Sequence, residues 1–230
     1  MAAVIGVIVP AHDEQDLIGA CFRSVAIASS CPRLIGEPVV PVVALDDCTD
    51  ASEAIARHMQ ATTVVIHARN VGVARAAGAR LALEAGARWL AFTDADTVVA
   101  PDWLFSQLAL GADAVCGTVA VPDWGSYGEP MRRHYEKTYT DADGHRHIHG
   151  ANLGVSAVAY RRVGGFLPLA SSEDVALVDA LQNSGASIGW SAAPRVATSA
   201  RRVFRAPAGF GATLARVERE SNRTADEAGP

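Results

Sequence analysis

The chain has 230 residues and a formal net charge of −5 at pH 7; half of its residues are hydrophobic and a fifth are charged. That balance is ordinary for one large α/β domain and gives no support for a nucleic-acid or anionic-membrane partner. The four cysteines form no C-x-x-C pair, no apolar run reaches the roughly 18 residues of a membrane span, and no secretory signal stands at the start. We therefore expect a reduced, cytoplasmic protein with no transmembrane segment and no nucleic-acid partner.

Strand and helix patterns alternate through the first hundred residues. Continuous apolar runs predict strands at residues 4–9, 39–45, 62–66 and 88–93. Helical spacing predicts helices over 17–25, 50–59 and 70–85, the second behind an apparent capping box of Asp50 and Glu53. A β-α-β-α-β-α-β series predicts a single doubly wound, mainly parallel sheet flanked by helices.

Two carboxylates follow the fourth predicted strand, Asp94 and Asp96, before Pro101 opens a helix. Side chains at i and i+2 of an extended segment point the same way, so both converge at the carboxyl end of the strand, where open α/β sheets bind ligands. Two hard oxygen ligands suit Mg²⁺ or Mn²⁺ and leave coordination sites open for a diphosphate. The alternative is a polar strand end with a helix-capping Asp.

The second half is less regular. Strands are predicted at residues 113–121 and 153–158 and a short helix at 173–182. Residues 122–150 are polar and aromatic without apolar periodicity, which indicates a functional loop or lid. Residues 215–230 are charged and predict a flexible polar tail.

Several short motifs occur in one order along the chain: V-I-V-P-A-H-D-E from Val7, L-D-D-C-T-D from Leu45, N-x-G-x-A-R from Asn70, D-x-D from Asp94, G-A-N-L from Gly150, G-G-F from Gly164 and S-E-D from Ser172. Together they resemble family 2 glycosyltransferases, the inverting GT-A-fold enzymes, over most of residues 4–183. The resemblance implies one GT-A domain over residues 1–214, with a nucleotide-sugar half (1–100) and an acceptor half (101–214) that adds a small antiparallel part to the sheet.

The resemblance also implies a donor site. Its residues would line the nucleotide pocket, bind the base or hold the diphosphate: Pro10, His12, Glu14, Asp46, Asp47, Asn70, Gly72, Arg75 and Asp94. Free N–H groups at the start of the third helix favour anions, and Arg75 adds a permanent cation. Here Cys48-Thr49 replaces the usual Gly-Ser of the family.

For catalysis, the resemblance makes Asp174 the candidate base, with Glu173 orienting it or binding the acceptor; the alternative is ordinary acidity at a helix N-terminus. Asp94 and Asp96 are the expected metal ligands, for Mg²⁺ or Mn²⁺. The expected acceptor-binding residues are Trp124, His149, Gly150 and Asn152. Trp124, with Tyr127, Tyr135 and Tyr139, would stack on a sugar or an apolar aglycone, or else pin the loop to the domain.

Histidines raise two further questions. His145, His147 and His149 alternate in strand spacing, which suggests a zinc site, but without a cysteine pair a solvated or acceptor-facing strand is the preferred interpretation. GT-A enzymes often take a third metal ligand, commonly His, from further along the chain. No histidine follows His149; Ser199, Arg201 and Arg202 stand there instead. Either fewer protein ligands hold the metal, or the arginines neutralise the diphosphate.

The leading hypothesis is transfer of a hexose from a UDP- or GDP-sugar to a hydroxyl of a saccharide, lipid or small-molecule acceptor. A non-catalytic nucleotide-sugar-binding relative is the alternative. A sugar-phosphate nucleotidyltransferase ranks lower, because no glycine-rich activating loop follows the first strand, and a dehydrogenase is excluded because no G-x-G-x-x-G does. A peripheral position at the inner membrane face stays open, through Leu104, Phe105 or residues 201–210.

Overall fold

A computed structural model of the chain describes residues 4–201 and residue 218. Its strands form one curled sheet in the order β3-β2-β1-β4-β7-β6-β8-β5. The strands are β1 (Val4–Ala11), β2 (Val39–Asp46), β3 (Thr62–Ile66), β4 (Ala87–Phe92), β5 (Thr97–Val99), β6 (Ala114–Ala120), β7 (Leu153–Ser156) and β8 (Ile188–Thr198). The α-helices around it are α1 (Ile18–Ser29), α2 (Ser52–His58), α3 (Val71–Glu84), α4 (Trp103–Ala109), α5 (Gly128–Thr138), α6 (Ala157–Arg162) and α7 (Glu173–Asn183).

The first four strands form the parallel half of the sheet. β1 pairs in parallel with β2 and β4, and β2 pairs in parallel with β3. Successive side chains of a strand face opposite sides, so Val7 and Val9 join the core under α1 while Ile8 joins the core under α3. The predicted doubly wound α/β sheet is confirmed, and the carboxyl ends of β1, β2 and β4 meet at one edge.

The remaining strands supply the expected antiparallel part. β7 runs antiparallel to β4 and β6, and β5 runs antiparallel to β8, which is itself parallel to β6. The sequence patterns missed β5, which has three residues, and β8, whose alanines and Pro194 have low strand propensity. The pairing of β8 with β6 includes a bulge in β8, because Gly117 pairs with Ser191 and Thr118 with Arg195, which leaves residues 192–194 unpaired.

Residues 122–150 are more ordered than the sequence indicated. They contain α5, and Trp124 and Tyr127 just before the helix pack in one cluster with Met131 and Tyr135 of the helix, at spacings of three to four residues. The expectation of a loop without regular structure is therefore wrong for this stretch. The apolar spacing is hard to recognise in the sequence because most residues of the helix are polar. Charged side chains four residues apart form ion pairs along its exposed face.

Two smaller expectations also change. The strand predicted over 153–158 ends at Ser156, because the Ser156 hydroxyl accepts the N–H of Ala159 and starts α6. The capping box does not form: Glu53 pairs with Arg57 one turn on, while Asp50 accepts the Ser52 N–H.

Part of the sequence-based expectations concerns residues outside the described ones. Residues 202–210, which include Arg202, and the tail apart from residue 218 belong to this group, so those expectations stay predictions. Among the helices of residues 4–201, none is long and apolar enough to cross a membrane. Leu104, suggested as a membrane contact, is fully buried in the core.

Candidate functional site

Polar residues collect at the carboxyl edge of the parallel strands. His12 and Glu14 follow β1, Asp46 ends β2, and Asp94 and Asp96 follow β4. The topology therefore brings together residues that lie more than 80 positions apart. They perform different tasks, however, and the contacts separate the side chains that hold loops from those that face the site.

Asp46 holds a loop. Its buried carboxylate accepts three backbone N–H groups after β3: Oδ1 from Ala68 at 2.7 Å and Arg69 at 2.9 Å, and Oδ2 from Asn70 at 2.8 Å. Its backbone carbonyl also lies 2.6 Å from Nδ1 of His12. The sequence expectation assigned Asp46 to the nucleotide base, whereas the structure places its carboxylate under the 68–70 loop.

Asp47 is the more accessible member of this acidic pair. Its carboxylate accepts from Nε of Arg69 at 2.6 Å and lies 3.2 Å from Nδ1 of His67. The hydrogen bond from Arg69, and to a smaller extent the one from His67, lowers the pKa of Asp47. The Asp47 side chain is therefore an anion at the rim of the site. Of the two carboxylates, Asp47 is therefore the one that solvent can reach.

The start of α3 does not offer the free amides that the sequence suggested. The Gly72 N–H donates to the Leu169 carbonyl at 3.1 Å, and the Val73 N–H donates to Oδ1 of Asn70 at 3.0 Å. A Cβ at Gly72 would lie 2.2 Å from the Leu167 carbonyl oxygen, so glycine is needed for this close approach. The amides of residues 72 and 73 therefore already have partners within the chain, and the segment around Leu169 covers this end of the helix.

Arg75 reaches the site from the second turn of α3. Its guanidinium is almost fully buried, 2.6 Å from the Asp94 carboxylate through Nη2 and 3.3 Å from the Glu173 carboxylate through Nε. Gly150 lies directly against it, since a Cβ there would sit 1.9 Å from Nη1. Among the described residues, Nη1 has no hydrogen-bond partner. Arg75 is thus a buried cation that links Asp94 to Glu173 at the start of α7.

Asp96 lies beside a second arginine, Arg201. Its Oδ2 is 3.2 Å from Nη2 of Arg201, and its Oδ1 is 3.4 Å from the hydroxyl oxygens of Thr97 and Thr198. Arg201 also makes a two-bond ion pair with the buried carboxylate of Glu14. The contact between Glu14 and Arg201 could not be predicted from the sequence, because the position of Arg201 depends on where β8 ends.

The carboxylates outnumber the cations at this edge. Five acids (Glu14, Asp94, Asp96, Glu173 and Asp174) surround Arg75 and Arg201. Burial, reinforced by Asp94, raises the pKa of Asp96 to about 6. Burial also raises the pKa of Asp94 despite the opposing charge of Arg75. A site with excess negative charge and oxygen ligands fits a hard divalent cation, so the residues present fit Mg²⁺ or Mn²⁺.

A second group of potential ligands lies nearby. In the part of the chain that the structure describes, ligand atoms of Asp13, Cys48 and Asp50 lie within 4.8 Å of one another. Oδ1 of Asp13 accepts the Thr49 N–H, and both oxygens of Asp50 accept backbone N–H groups. These carboxylates stabilise the turns after β1 and β2, so Asp94 and Asp96 stay the stronger metal candidates.

Asp174, the candidate base, is anchored at both oxygens. Oδ2 accepts the Gly150 N–H at 2.7 Å, and Oδ1 accepts the Val175 N–H at 2.8 Å. Each carboxylate oxygen retains a further lone pair, so the side chain is oriented without losing its capacity to accept a proton. Burial raises the pKa of neighbouring Glu173, which contacts Arg75. The first turn of α7 therefore contributes one oriented acid and one buried acid.

The acceptor-side residues are mostly occupied by internal contacts. Asn152 is fully buried: Oδ1 accepts from Nε1 of Trp103, and Nδ2 donates to the carbonyls of Thr118 and Pro194. Trp124 is 8% exposed and packs on Tyr135. In this structure Asn152 joins β6 to β8 and Trp124 pins α5, so neither presents a free polar group or ring face to an acceptor.

The three histidines form part of a column of rings. Tyr139 stacks between Tyr135 and His147, and His145 stacks on His147. The segment is not a strand, and His145 is buried and not solvated, whereas an acceptor-facing position of the segment stays a prediction. Burial, together with the neighbouring histidines, lowers the pKa of His149 to about 4, and its Nε2 lies 3.0 Å from the Tyr139 hydroxyl. His149 is therefore neutral near pH 7.

Comparison with known proteins gives the wider context. The profile described as glycosyl transferase family 2 matches residues 6–163, more than half of the chain. No curated protein matches. TarS from S. aureus, residues 1–349 in complex with UDP-GlcNAc, has a TM-score of 0.68 at 14% identity, covering 95% of this chain and 65% of that chain.

Two other solved structures have the same fold. The mannosyltransferase PcManGT from Pyrobaculum calidifontis, in complex with GDP-Man and Mn²⁺, has a TM-score of 0.65 at 18% identity, covering 95% of this chain and 61% of that chain. A mycobacterial protein has a TM-score of 0.58 at 20% identity, covering 86% and 68%. This chain therefore spans about two thirds of the length of these structures, and identities this low establish the fold alone.

Proposed function

This chain belongs to glycosyl transferase family 2, and from that premise we propose that it transfers a hexose from a UDP- or GDP-sugar to an acceptor hydroxyl with inversion. The observation that carries the proposal is the pairing of two carboxylate groups through one buried guanidinium. Asp94, the proposed metal ligand, contacts Nη2 of Arg75, while Glu173 contacts Nε and adjoins the oriented acid Asp174. One guanidinium thus bridges the acid proposed for the metal and the acids at the start of α7.

The donor half of the site is the edge formed by β1, β2 and β4. Asp47, at its rim, would accept the N–H of uracil or guanine, and Asp94 and Asp96 would hold the divalent cation. Bound Mg²⁺ or Mn²⁺ would neutralise the departing nucleoside diphosphate as a Lewis acid. The solved relatives hold UDP-GlcNAc in one case and GDP-Man with Mn²⁺ in the other, which supports both nucleotide classes as candidates.

Asp174 is the proposed base. The acceptor oxygen attacks the anomeric carbon, the bond from that carbon to the diphosphate oxygen breaks, and the hydroxyl proton passes to the Asp174 carboxylate. The N–H groups of Gly150 and Val175 fix the orientation of the carboxylate. Holding the base in position contributes to the rate because the carboxylate is already oriented towards the reacting hydroxyl, so less entropy is lost in reaching the transition state. Glu173 fixes Arg75 and is a positioning residue.

The decisive experiment separates donor binding from transfer. We would measure nucleotide release and sugar transfer with UDP- and GDP-sugars in Mn²⁺, Mg²⁺ or EDTA, for wild type, Asp174→Asn and the control Asp179→Asn. Asp179 is an exposed carboxylate on the same helix. We expect Asp174→Asn to bind donor normally but to lose about 10²–10⁴-fold in turnover, the range of general-base catalysis.

Two outcomes would count against the proposal. If Asp179→Asn lowers turnover as much as Asp174→Asn, the loss comes from a change in helix α7 and not from removal of a catalytic base. If no nucleotide sugar shifts the melting temperature of wild type under any metal condition, the donor site is wrong and the chain is a degenerate relative.

A further inference from the structure

Arg201 occupies the side of Asp96 that faces the carboxylate cluster. Its guanidinium donates to both oxygens of Glu14, and Nη2 also lies 3.2 Å from Oδ2 of Asp96. Glu14 is buried, and Arg201 forms an ion pair with its carboxylate. An arginine with five donors in a planar fork can serve two carboxylates at once. The guanidinium therefore stands where positive charge is needed between Glu14 and Asp96.

The sheet fixes this placement. β5 follows the D-x-D pair directly, and its first residue, Thr97, pairs with Thr198, the last residue of β8. The chain leaving β8 thus starts beside Asp96, three residues before Arg201. The contact follows from strand pairing and does not depend on a long exposed side chain finding a partner by chance.

We propose that Arg201 is an internal counter-cation that competes with the divalent metal for Asp96, and that the donor diphosphate draws it away. This inference rests on the proposed function, in which Asp94 and Asp96 hold the metal. Without nucleotide, Arg201 neutralises Asp96 and weakens metal binding. With nucleotide, Nη2 turns to a phosphate oxygen, to which guanidinium binds well.

The physical basis is competition between two cations for one carboxylate. A guanidinium and a divalent ion that approach the same oxygen repel one another, and in a partly buried site that repulsion is only weakly screened. A diphosphate gives the guanidinium new acceptors, so the metal and the nucleotide bind cooperatively. Linkage requires that the nucleotide tighten metal binding by the same factor as metal tightens nucleotide binding.

The test is a Mn²⁺ titration followed by electron paramagnetic resonance of the free ion, with wild type and Arg201→Met, each alone and with UDP or GDP. Without nucleotide we expect Arg201→Met to bind Mn²⁺ at least about 10-fold more tightly, because the competing charge has gone. With nucleotide we expect the Mn²⁺ affinities of wild type and Arg201→Met to become similar. The nucleotide thus tightens Mn²⁺ binding far more in wild type than in the variant.

Matched variants isolate the charge at this position. Arg195→Met removes another β8-side arginine, whose partner is the exposed Asp141, and should leave Mn²⁺ affinity unchanged. Arg201→Lys keeps the positive charge and should stay within a few-fold of wild type. Glu14→Gln leaves Arg201 to pair with Asp96 alone and should weaken Mn²⁺ binding. This effect is opposite to that of Arg201→Met, which should strengthen Mn²⁺ binding.

Several results overturn the inference. Equal Mn²⁺ affinity in wild type and Arg201→Met refutes it while leaving metal-assisted transfer intact. Absence of Mn²⁺ binding in both proteins, with and without nucleotide, overturns both the inference and the metal part of the proposed function. If Arg201→Met fails to fold because Glu14 is left unpaired, the double variant Glu14→Gln/Arg201→Met keeps the pair neutral. It must then bind Mn²⁺ more tightly than Glu14→Gln alone, and equality of the two refutes the inference.

Discussion

Replacing Asp46 with Asn tests whether this carboxylate holds the loop after β3. In wild type, Oδ1 accepts two backbone N–H groups and Oδ2 accepts a third, from residues 68, 69 and 70. The side chain of Asn has nearly the same shape but carries an NH₂ group in place of one oxygen. If the amide oxygen faces residues 68 and 69, the NH₂ group must face the N–H of residue 70.

The cost has two parts. One bond becomes a donor facing a donor in a buried place, which costs about 1–3 kcal/mol. The two retained bonds change from charge-assisted to neutral, each losing roughly 1 kcal/mol. We therefore expect Asp46→Asn to lower the free energy of unfolding by about 3–5 kcal/mol, a large part of the total for a single domain.

Urea unfolding followed by circular dichroism measures this difference, and Asp47→Asn is the matched control. Asp47 is the next residue, and its partner Arg69 is exposed, so the loss of stability there should be much smaller than for Asp46→Asn. Equal losses for the two variants would refute the reasoning, because they would show that the three amide contacts contribute nothing beyond an exposed ion pair.

Two further predictions concern burial and close packing. The low pKa of His149 means that its neutral ring contributes stability fully above about pH 6.5 and loses it as pH falls towards about 4, by about 3 kcal/mol in all. Urea unfolding between about pH 6.5 and about pH 4 should show the free energy of unfolding falling with pH in wild type and in the control His58→Gln, which changes an exposed histidine. The reasoning fails if His149→Gln shows the same fall. Gly72→Ala should cost about 1–3 kcal/mol, because the new Cβ meets the Leu167 carbonyl. Gly19→Ala, also in the first turn of a helix but with its nearest contact at 3.4 Å, should cost nothing, and equal melting temperatures for the two would contradict the clash.

The parallel half of the fold was readable because its signals are local. Continuous apolar runs and helical spacing within residues 4–93 predicted every strand of that half, and chain order predicted the family resemblance. Helix α5 could have been found from the spacing of Met131 and Tyr135, which continues that of Trp124 and Tyr127 just before the helix, but its many charged residues masked that pattern. Strand β8 could not, because its propensity is low and the sheet around it overrides that propensity.

The sequence by itself therefore determined the doubly wound sheet and the edge at which the acids collect. Only the tertiary structure decided the task of each acid. Asp46 and Asp47 look alike in the chain, yet one accepts backbone amides and the other lies at the rim. Arg201 contacts Glu14 across 187 positions because β5 pairs with β8. Local patterns fix which residues are strand or helix, whereas partners of a buried charge depend on which strands are neighbours, and that is settled by packing of the whole chain.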